Sequence, residues 1–197
     1  PAATTASPEP HPSQVALPAD PFLRDEDLGS IGLYTGFFRT GIDAELTSQD
    51  RVVDCLPDLT TLGASQVRAA QFSTDLEGTV LETVLRFPDA DAADSVTARL
   101  RAIPSSCEPR WPASVETVGQ VADVMAADGG FQFPRLLVPD PSQDLGSEGS
   151  FTGVAVVREG NVVVVLTFRA FGDPYGGERP AWSDSQLTAA LARAAGR

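Results

Sequence analysis

The stretch that decides the fold is "FTGVAVVREGNVVVVLTFRAF", residues 151–171. Two valine-rich runs flank the pair Glu159-Gly160, and glycine readily adopts the positive φ of a tight hairpin turn. Each run has the length and the β-branched content of a strand. Because valine occupies both faces of each run, the sequence predicts a hairpin at the centre of an antiparallel sheet.

A second hairpin is predicted upstream, where the runs "QVRAAQF" (66–72) and "TVLETVLRF" (79–87) are joined by the short polar stretch "STDLEG". In the second of these runs the side chains alternate between two faces. The leucines and Phe87 share one face, and Glu82 and Arg86 point the other way. Such alternation is typical of a strand that buries one face only.

Each hairpin is followed by a helical pattern. Residues 88–103 begin with proline and aspartates and end with arginines, charges that suit the two ends of a helix dipole. Residues 183–195 begin with Ser183 and Gln186 at the spacing of a capping box. Two hairpin–helix units predict the α+β class, an antiparallel sheet of about five to six strands with two main helices packed on one face.

The remaining segments give weaker patterns. They predict a helical turn at 22–28, a strand at 33–41, a short helix at 48–56, a strand at 115–125 and loop over most of 126–150. Because long ordered loops often carry function in domains of this size, the last segment is a candidate for a functional region.

The chain divides into a tail and one domain. Residues 1–19 are rich in Pro, Ala, Thr and Ser, and five of them are proline. Such a segment cannot bury enough apolar surface to order itself, so we interpret 1–19 as a disordered tether and 20–197 as a single α+β domain. A tether implies a membrane anchor, and the sequence shows neither an export signal nor an apolar run of the roughly 18 residues that cross a membrane.

The charge excludes two classes of partner. The net charge is −13, and all 14 basic residues are arginine. Nucleic-acid binding requires a clustered basic surface, and an anionic membrane surface likewise attracts basic segments. We therefore expect no nucleic-acid partner, and a membrane association only through an N-terminal anchor.

The inventory of reactive side chains argues against an enzyme. The one histidine, His11, lies in the proline-rich tail, which cannot fix an imidazole in a catalytic triad. The chain contains no lysine for Schiff-base chemistry, and its two cysteines are too far apart in sequence for a typical zinc site. The acidic run at 25–27 lacks the alternate spacing of a calcium loop. We therefore expect no catalysis, no metal and no cofactor.

The two cysteines, Cys55 and Cys107, allow three interpretations: a structural disulfide, two buried thiols or a reactive thiol. There is no C-x-x-C pair, so a thioredoxin-like site is disfavoured. Both cysteines lie in predicted loops that flank one compact unit, an arrangement that favours the disulfide. Because disulfides persist in oxidising compartments, the favoured interpretation places the domain outside the cytoplasm.

Four stretches together resemble a known family. They are "DCLPDLTTLGASQVRAAQF", "VLRFPDADAADSVTARLRAI", "SSCEPRW" and "VAVVREGNVVVVLTF". In this order they are similar to the extracytoplasmic sensor domain of a mycobacterial Ser/Thr kinase, the PknH-like extracellular domain family, and to related actinobacterial lipoproteins. The resemblance implies an antiparallel sheet packed on two helices, with a cleft for a small ligand and no catalytic residues. Members of the family usually have two disulfides, whereas this chain allows one at most.

Aromatic residues in predicted loops mark a candidate ligand site. The candidate residues are Arg110, Trp111, Tyr175, Arg179 and Trp182. Tryptophan and arginine together can line a pocket for an anionic or aromatic ligand. The alternative is that the tryptophans cap the ends of the core while the arginines are solvated.

Phe131 and Phe133 lie between the two parts of this candidate site in the sequence. They are interpreted either as a lip over the site or as core residues. The function predicted from all these features is an extracytoplasmic sensor-like or ligand-binding domain, tethered to a membrane anchor and non-catalytic. The alternative is an envelope interaction module without a small-ligand pocket.

The disulfide is directly testable. We predict that Cys55 and Cys107 resist alkylation in the unfolded, unreduced protein, and that the intact mass rises by about two hydrogens on reduction. Closing a loop of about 53 residues should stabilise the fold by roughly 4 kcal/mol. Free alkylation of both thiols in protein recovered from its native compartment would contradict the disulfide and the export argument.

Overall fold

The computed structural model describes residues 16–43, 56–106, 114–125, 128–139, 149–171 and 181–197. Its helices are α1 (Asp25–Leu28), α2 (Ala90–Ala102) and α3 (Asp184–Ala194). Its strands are β1 (Ser30–Ile31), β2 (Tyr34–Thr35), β3 (Phe38–Ile42), β4 (Gln66–Ser73), β5 (Thr79–Arg86), β6 (Ser114–Val118), β7 (Ala122–Asp123), β8 (Gly129–Pro139), β9 (Ser150–Glu159) and β10 (Val162–Phe171).

The main sheet is antiparallel throughout and has the order β3-β4-β5-β10-β9-β8-β6, with β7 also paired to β8. The α+β class is therefore confirmed, with slightly more strands than the predicted five to six. The hairpin β9–β10 lies at the centre, as predicted. Its turn consists of Gly160 and Asn161, because Glu159 already pairs with Val162, and Gly160 has the positive φ of 55°.

The two long helices cover opposite faces of the sheet, so the prediction that both pack on one face is wrong. Helix α3 belongs to the apolar cluster that contains Val164 and Leu166 of β10. Helix α2 belongs to the cluster that contains Val163 and Val165 of the same strand. Because side chains alternate along a strand, these two pairs point to opposite faces. Both faces of the hairpin are apolar, and each requires its own cover.

A segment before the sheet completes the cover on the α3 face. We call residues 17–28, which include α1, the N-terminal strap. Its residues Phe22, Leu23 and Leu28 are at most 1% exposed and belong to the same cluster as α3. The polar side chain of Glu82, predicted to face away from the core, lies on this face and is completely buried.

Several local elements follow the sequence, and others differ from it in type or in bounds. The predicted strands at 66–72 and 79–87 are confirmed as β4 and β5, and both long helices are confirmed. The prediction of a loop over most of 126–150 is wrong for residues 129–139, which form β8. Gly129, Gly130 and Pro134 favour a break in a strand, but β8 pairs with β9 from Gly129 to Leu137.

The strand predicted at 115–125 is divided into β6 and β7, and the strand at 33–41 into β2 and β3. The helical turn predicted at 22–28 is shorter in the structure, where it forms α1. The helix predicted at 48–56 and the tether at 1–19 lie almost entirely outside the described residues. Among the helices that the structure describes, none is long and apolar enough to span a bilayer.

The β1–β2 hairpin packs against the main sheet at a glycine. A Cβ on Gly78 would lie 2.9 Å from Tyr34 Cδ1, 3.0 Å from Thr74 Oγ1 and 3.2 Å from Phe168 Cε2. The Tyr34 ring meets the Phe168 ring edge to face at 5.1 Å. Close packing of the hairpin on the sheet therefore requires glycine at position 78.

We predict that Gly78→Ala lowers the free energy of unfolding by about 1–3 kcal/mol, because the new methyl group overpacks this contact. The matched control is Gly129→Ala, where the nearest atoms belong to the flexible end of Arg158 at 3.6 Å. The control should change stability by less than about 0.5 kcal/mol. Urea unfolding of both variants tests this, and equal effects at the two positions would contradict the packing described.

Candidate ligand site

A proline interrupts the regular ladder on one side of β8. Strands β6 and β7 both pair with β8, Val118 with Arg135 and Ala122 with Gln132. Pro134 lies between these pairs and has no N–H to donate. Its carbonyl accepts the N–H of Gly119 at 2.8 Å, and residues 119–121 bulge away from the ladder.

A cavity of about 150 Å³ lies beside this interruption. Its walls are Gln120, Ala122, Gln132, Phe133, Pro134, Gly153, Val154, Ala181 and Trp182. None of these nine side chains is ionisable. An enclosed apolar cavity of about this size holds a benzene-sized molecule. This cavity is open to solvent on one side and has room for one uncharged ring or branched apolar group.

Trp182 forms the wall on the α3 face. It directly precedes Ser183, whose hydroxyl accepts the Gln186 N–H and caps α3, so the helix start fixes the tryptophan. Its backbone N–H donates to Gln132 Oε1 at 3.0 Å, and its indole N–H donates to the Gly153 carbonyl at 3.4 Å.

The polar groups of the cavity are two side-chain amides. Gln132 uses its oxygen to hold Trp182, and its side-chain nitrogen has no partner among the described residues. The Gln120 amide is exposed and likewise has no partner within that part of the chain. An amide can both donate and accept hydrogen bonds, so this rim suits a neutral polar group attached to the apolar one.

The structure places one of the five predicted site residues. Trp182 lines the cavity and is also 3% exposed within the α3-face core, so it both packs and forms the site. Arg110, Trp111, Tyr175 and Arg179 lie outside the described residues, and their grouping with Trp182 stays a prediction. The same applies to the disulfide between Cys55 and Cys107.

Phe131 and Phe133 are core residues. They are 0% and 3% exposed, and their rings stack with centroids 6.3 Å apart. The interpretation of both side chains as a mobile lip is therefore wrong, although Phe133 contributes to the cavity wall.

Sequence analysis missed the residues that create the cavity. Pro134 and Gln132 lie in the segment 126–150, most of which the sequence predicts as loop, and Gly153 and Gln120 carry no signal of a site within their predicted strands. A proline inside a strand would have been the useful signal, because it forces an interruption in one of the neighbouring ladders.

Comparison with known proteins gives one solved structure with a similar fold. The extracellular domain of PknH from Mycobacterium tuberculosis superposes with a TM-score of 0.57 at 14% sequence identity. The alignment covers 89% of this chain and 92% of that chain. The similarity shows a shared fold. No protein-family model matches the sequence, and no curated protein matches it.

The burial of Trp182 is testable by fluorescence. In a Trp111→Phe variant, Trp182 is the single tryptophan. We predict blue-shifted emission that acrylamide quenches weakly, because the indole is removed from water. Emission at the wavelength of free tryptophan, with full quenching in the folded protein, would contradict the position of Trp182.

Proposed function

We propose that this chain is an extracytoplasmic, non-catalytic, sensor-like domain that binds a small neutral ligand at the Trp182 cavity. The observation that carries the proposal is the cavity itself, with apolar walls, a tryptophan side and an amide rim. Ligand pockets generally combine these features: mostly apolar walls with a few polar groups that fix orientation.

The cavity volume limits the ligand. Pockets for whole drug-sized ligands measure about 300–1,000 Å³, whereas this cavity measures about 150 Å³. The cavity therefore receives one ring-sized portion, and the rest of a larger ligand lies outside it. The nine wall residues that the structure describes carry no charged side chain, which favours a neutral group for the portion of the ligand that contacts them.

The extracytoplasmic location is supported by the structural neighbour, which is itself an extracellular domain. The predicted disulfide between Cys55 and Cys107 would fit the same location, because disulfides persist in oxidising compartments. Leu56, next to Cys55, and Ile103, four residues before Cys107, both belong to the α2-face cluster.

A ligand-binding experiment tests the proposal in the Trp111→Phe background. The probes are benzamide, which has a ring and a neutral amide, and benzoate, its anionic analogue. We expect saturation-transfer NMR and Trp182 emission to report benzamide binding with a Kd on the order of 1 mM, and weaker binding of benzoate.

Two substitutions at one position supply the matched control. Ala122→Leu fills the cavity and should abolish benzamide binding, whereas Ala122→Ser keeps the volume and should retain it. Position 122 is exposed in the two-residue strand β7, so both variants should fold. Equal binding by the two variants, or no binding of either probe to the parent, would contradict the ligand site.

A second candidate function is docking to another envelope protein. Four exposed apolar side chains lie at one end of the sheet: Leu33, Phe38, Leu76 and Phe171, which are 41–83% exposed. Register places Phe38 opposite Ser73 beside the β4–β5 turn, and Tyr34 donates to the Phe171 carbonyl. Exposed apolar patches are typical of interaction surfaces. If no probe binds in the cavity, we favour docking to another protein over ligand binding as the function.

A further inference from the structure

Glu82 is a buried carboxyl group in the middle of the main sheet. It lies on β5, in register with Ala70 of β4 and Leu166 of β10, both of which belong to the apolar cluster. Its exposed fraction is 0%. An acidic residue in such surroundings is rarely fully buried, so its contacts require an explanation.

The contact that Glu82 makes is with the N-terminal strap. Its Oε2 atom accepts the backbone N–H of Leu23 at 2.8 Å. Its Oε1 atom is buried and has no hydrogen-bond partner among the described residues. The carboxyl therefore holds the strap with one oxygen and leaves the other unsatisfied, which is costly for the ionised form.

The strap has further contacts on both sides of Glu82. Arg39 donates to the Leu23 carbonyl and pairs with Asp20 at 3.0 Å, and Arg68 donates to the Ala19 carbonyl at 3.3 Å. The buried Gln186 amide of α3 donates to the Leu28 carbonyl. Among these contacts Glu82 supplies the buried carboxyl group, so its protonation can change how firmly the middle of the strap is held.

We propose that Glu82 is a proton-controlled latch for the N-terminal strap: the neutral carboxyl keeps the strap closed, and loss of its proton to solvent favours opening. In the closed state the ionised group has a single donor in place of its hydration shell. Opening the strap would let water reach the Oε1 atom of Glu82 and donate hydrogen bonds to it. The described residues of the sheet supply no hydrogen-bond donor to this atom.

The electrostatics give the direction of the effect. Burial raises the pKa of Glu82 from its ordinary 4.5 to about 8, against the lowering effects of the Leu23 N–H and of Arg39. In the open strap the pKa returns toward its ordinary value. Opening therefore becomes more favourable as pH rises from about 4.5 to about 8, by up to about tenfold per pH unit, and levels off above.

Charged groups of the strap and of its neighbours also act on Glu82. Asp20 and Asp27 of the strap raise the pKa of Glu82 further. Asp27 is itself paired with Arg193 of α3 at 3.0 Å, and the remaining cations that face the strap are Arg39 and Arg68. His11 is the one side chain of the sequence with an ordinary pKa between 5 and 8, and it serves as the control.

Hydrogen exchange measured by mass spectrometry on the full chain tests the latch. We expect the protection of peptides covering 17–28, corrected for intrinsic exchange, to fall by at least about thirtyfold between about pH 5 and about pH 8. In Glu82→Gln it should stay constant within about twofold, and peptides from α2 should keep their protection in both proteins. The His11→Gln variant should behave as the parent.

Three results would overturn the latch. They are constant strap protection in the parent, a parent-like pH dependence in Glu82→Gln, or loss of the pH dependence in His11→Gln. If Glu82→Gln does not fold, Glu82→Met replaces it, since methionine keeps a similar volume without a titrating group. The exchange readout is independent of the Trp182 cavity, so failure of the ligand-binding proposal leaves this test unchanged.

Discussion

The valine-rich hairpin β9–β10 has two apolar faces, and both must be removed from water. Burying one valine side chain contributes roughly 1.5–3 kcal/mol, and residues 162–165 are all valines at most 7% exposed. One helix cannot cover both faces. The requirement for two covers explains why α2 and α3 lie on opposite sides, and why the strap is needed beside α3.

This double cover also explains the unusual position of Glu82. On a sheet with one solvated face, an alternating glutamate would point to water. Here the second face is covered by α3 and the strap, so the carboxyl is enclosed and meets the Leu23 N–H. The strap packs its apolar residues around the Glu82 carboxyl, and these residues cannot solvate its charge. Stability and pH sensitivity therefore arise from the same contact.

The candidate ligand site lies where the sheet is least regular. Between the central strands every register pair continues without interruption, and there is no room for a ligand. Beside β8, Pro134 interrupts the pairing with β6 and β7. Position 153 of β9 is a glycine and therefore has no side chain on the α3 face. Function at the irregular margin of a rigid sheet is a common arrangement, because the regular part positions the site without occupying it.

Local patterns could be predicted well because they depend on neighbouring residues. The two hairpins, the two long helices and the cap at Ser183 all follow from short spacings. The face that each helix covers depends on contacts between distant segments, and nothing in 88–103 or 183–195 distinguishes one face from the other. Strand β8 was missed because glycine and proline usually end strands.

Methyl NOESY spectra test most directly whether different helices pack on the two faces of β10. The account predicts contacts from the Val164 and Leu166 methyls to the leucines of α3, and from the Val163 and Val165 methyls to Val96 and Leu100 of α2. Contacts from both helices to the same pair of β10 residues would contradict the two-sided arrangement and the enclosure of Glu82.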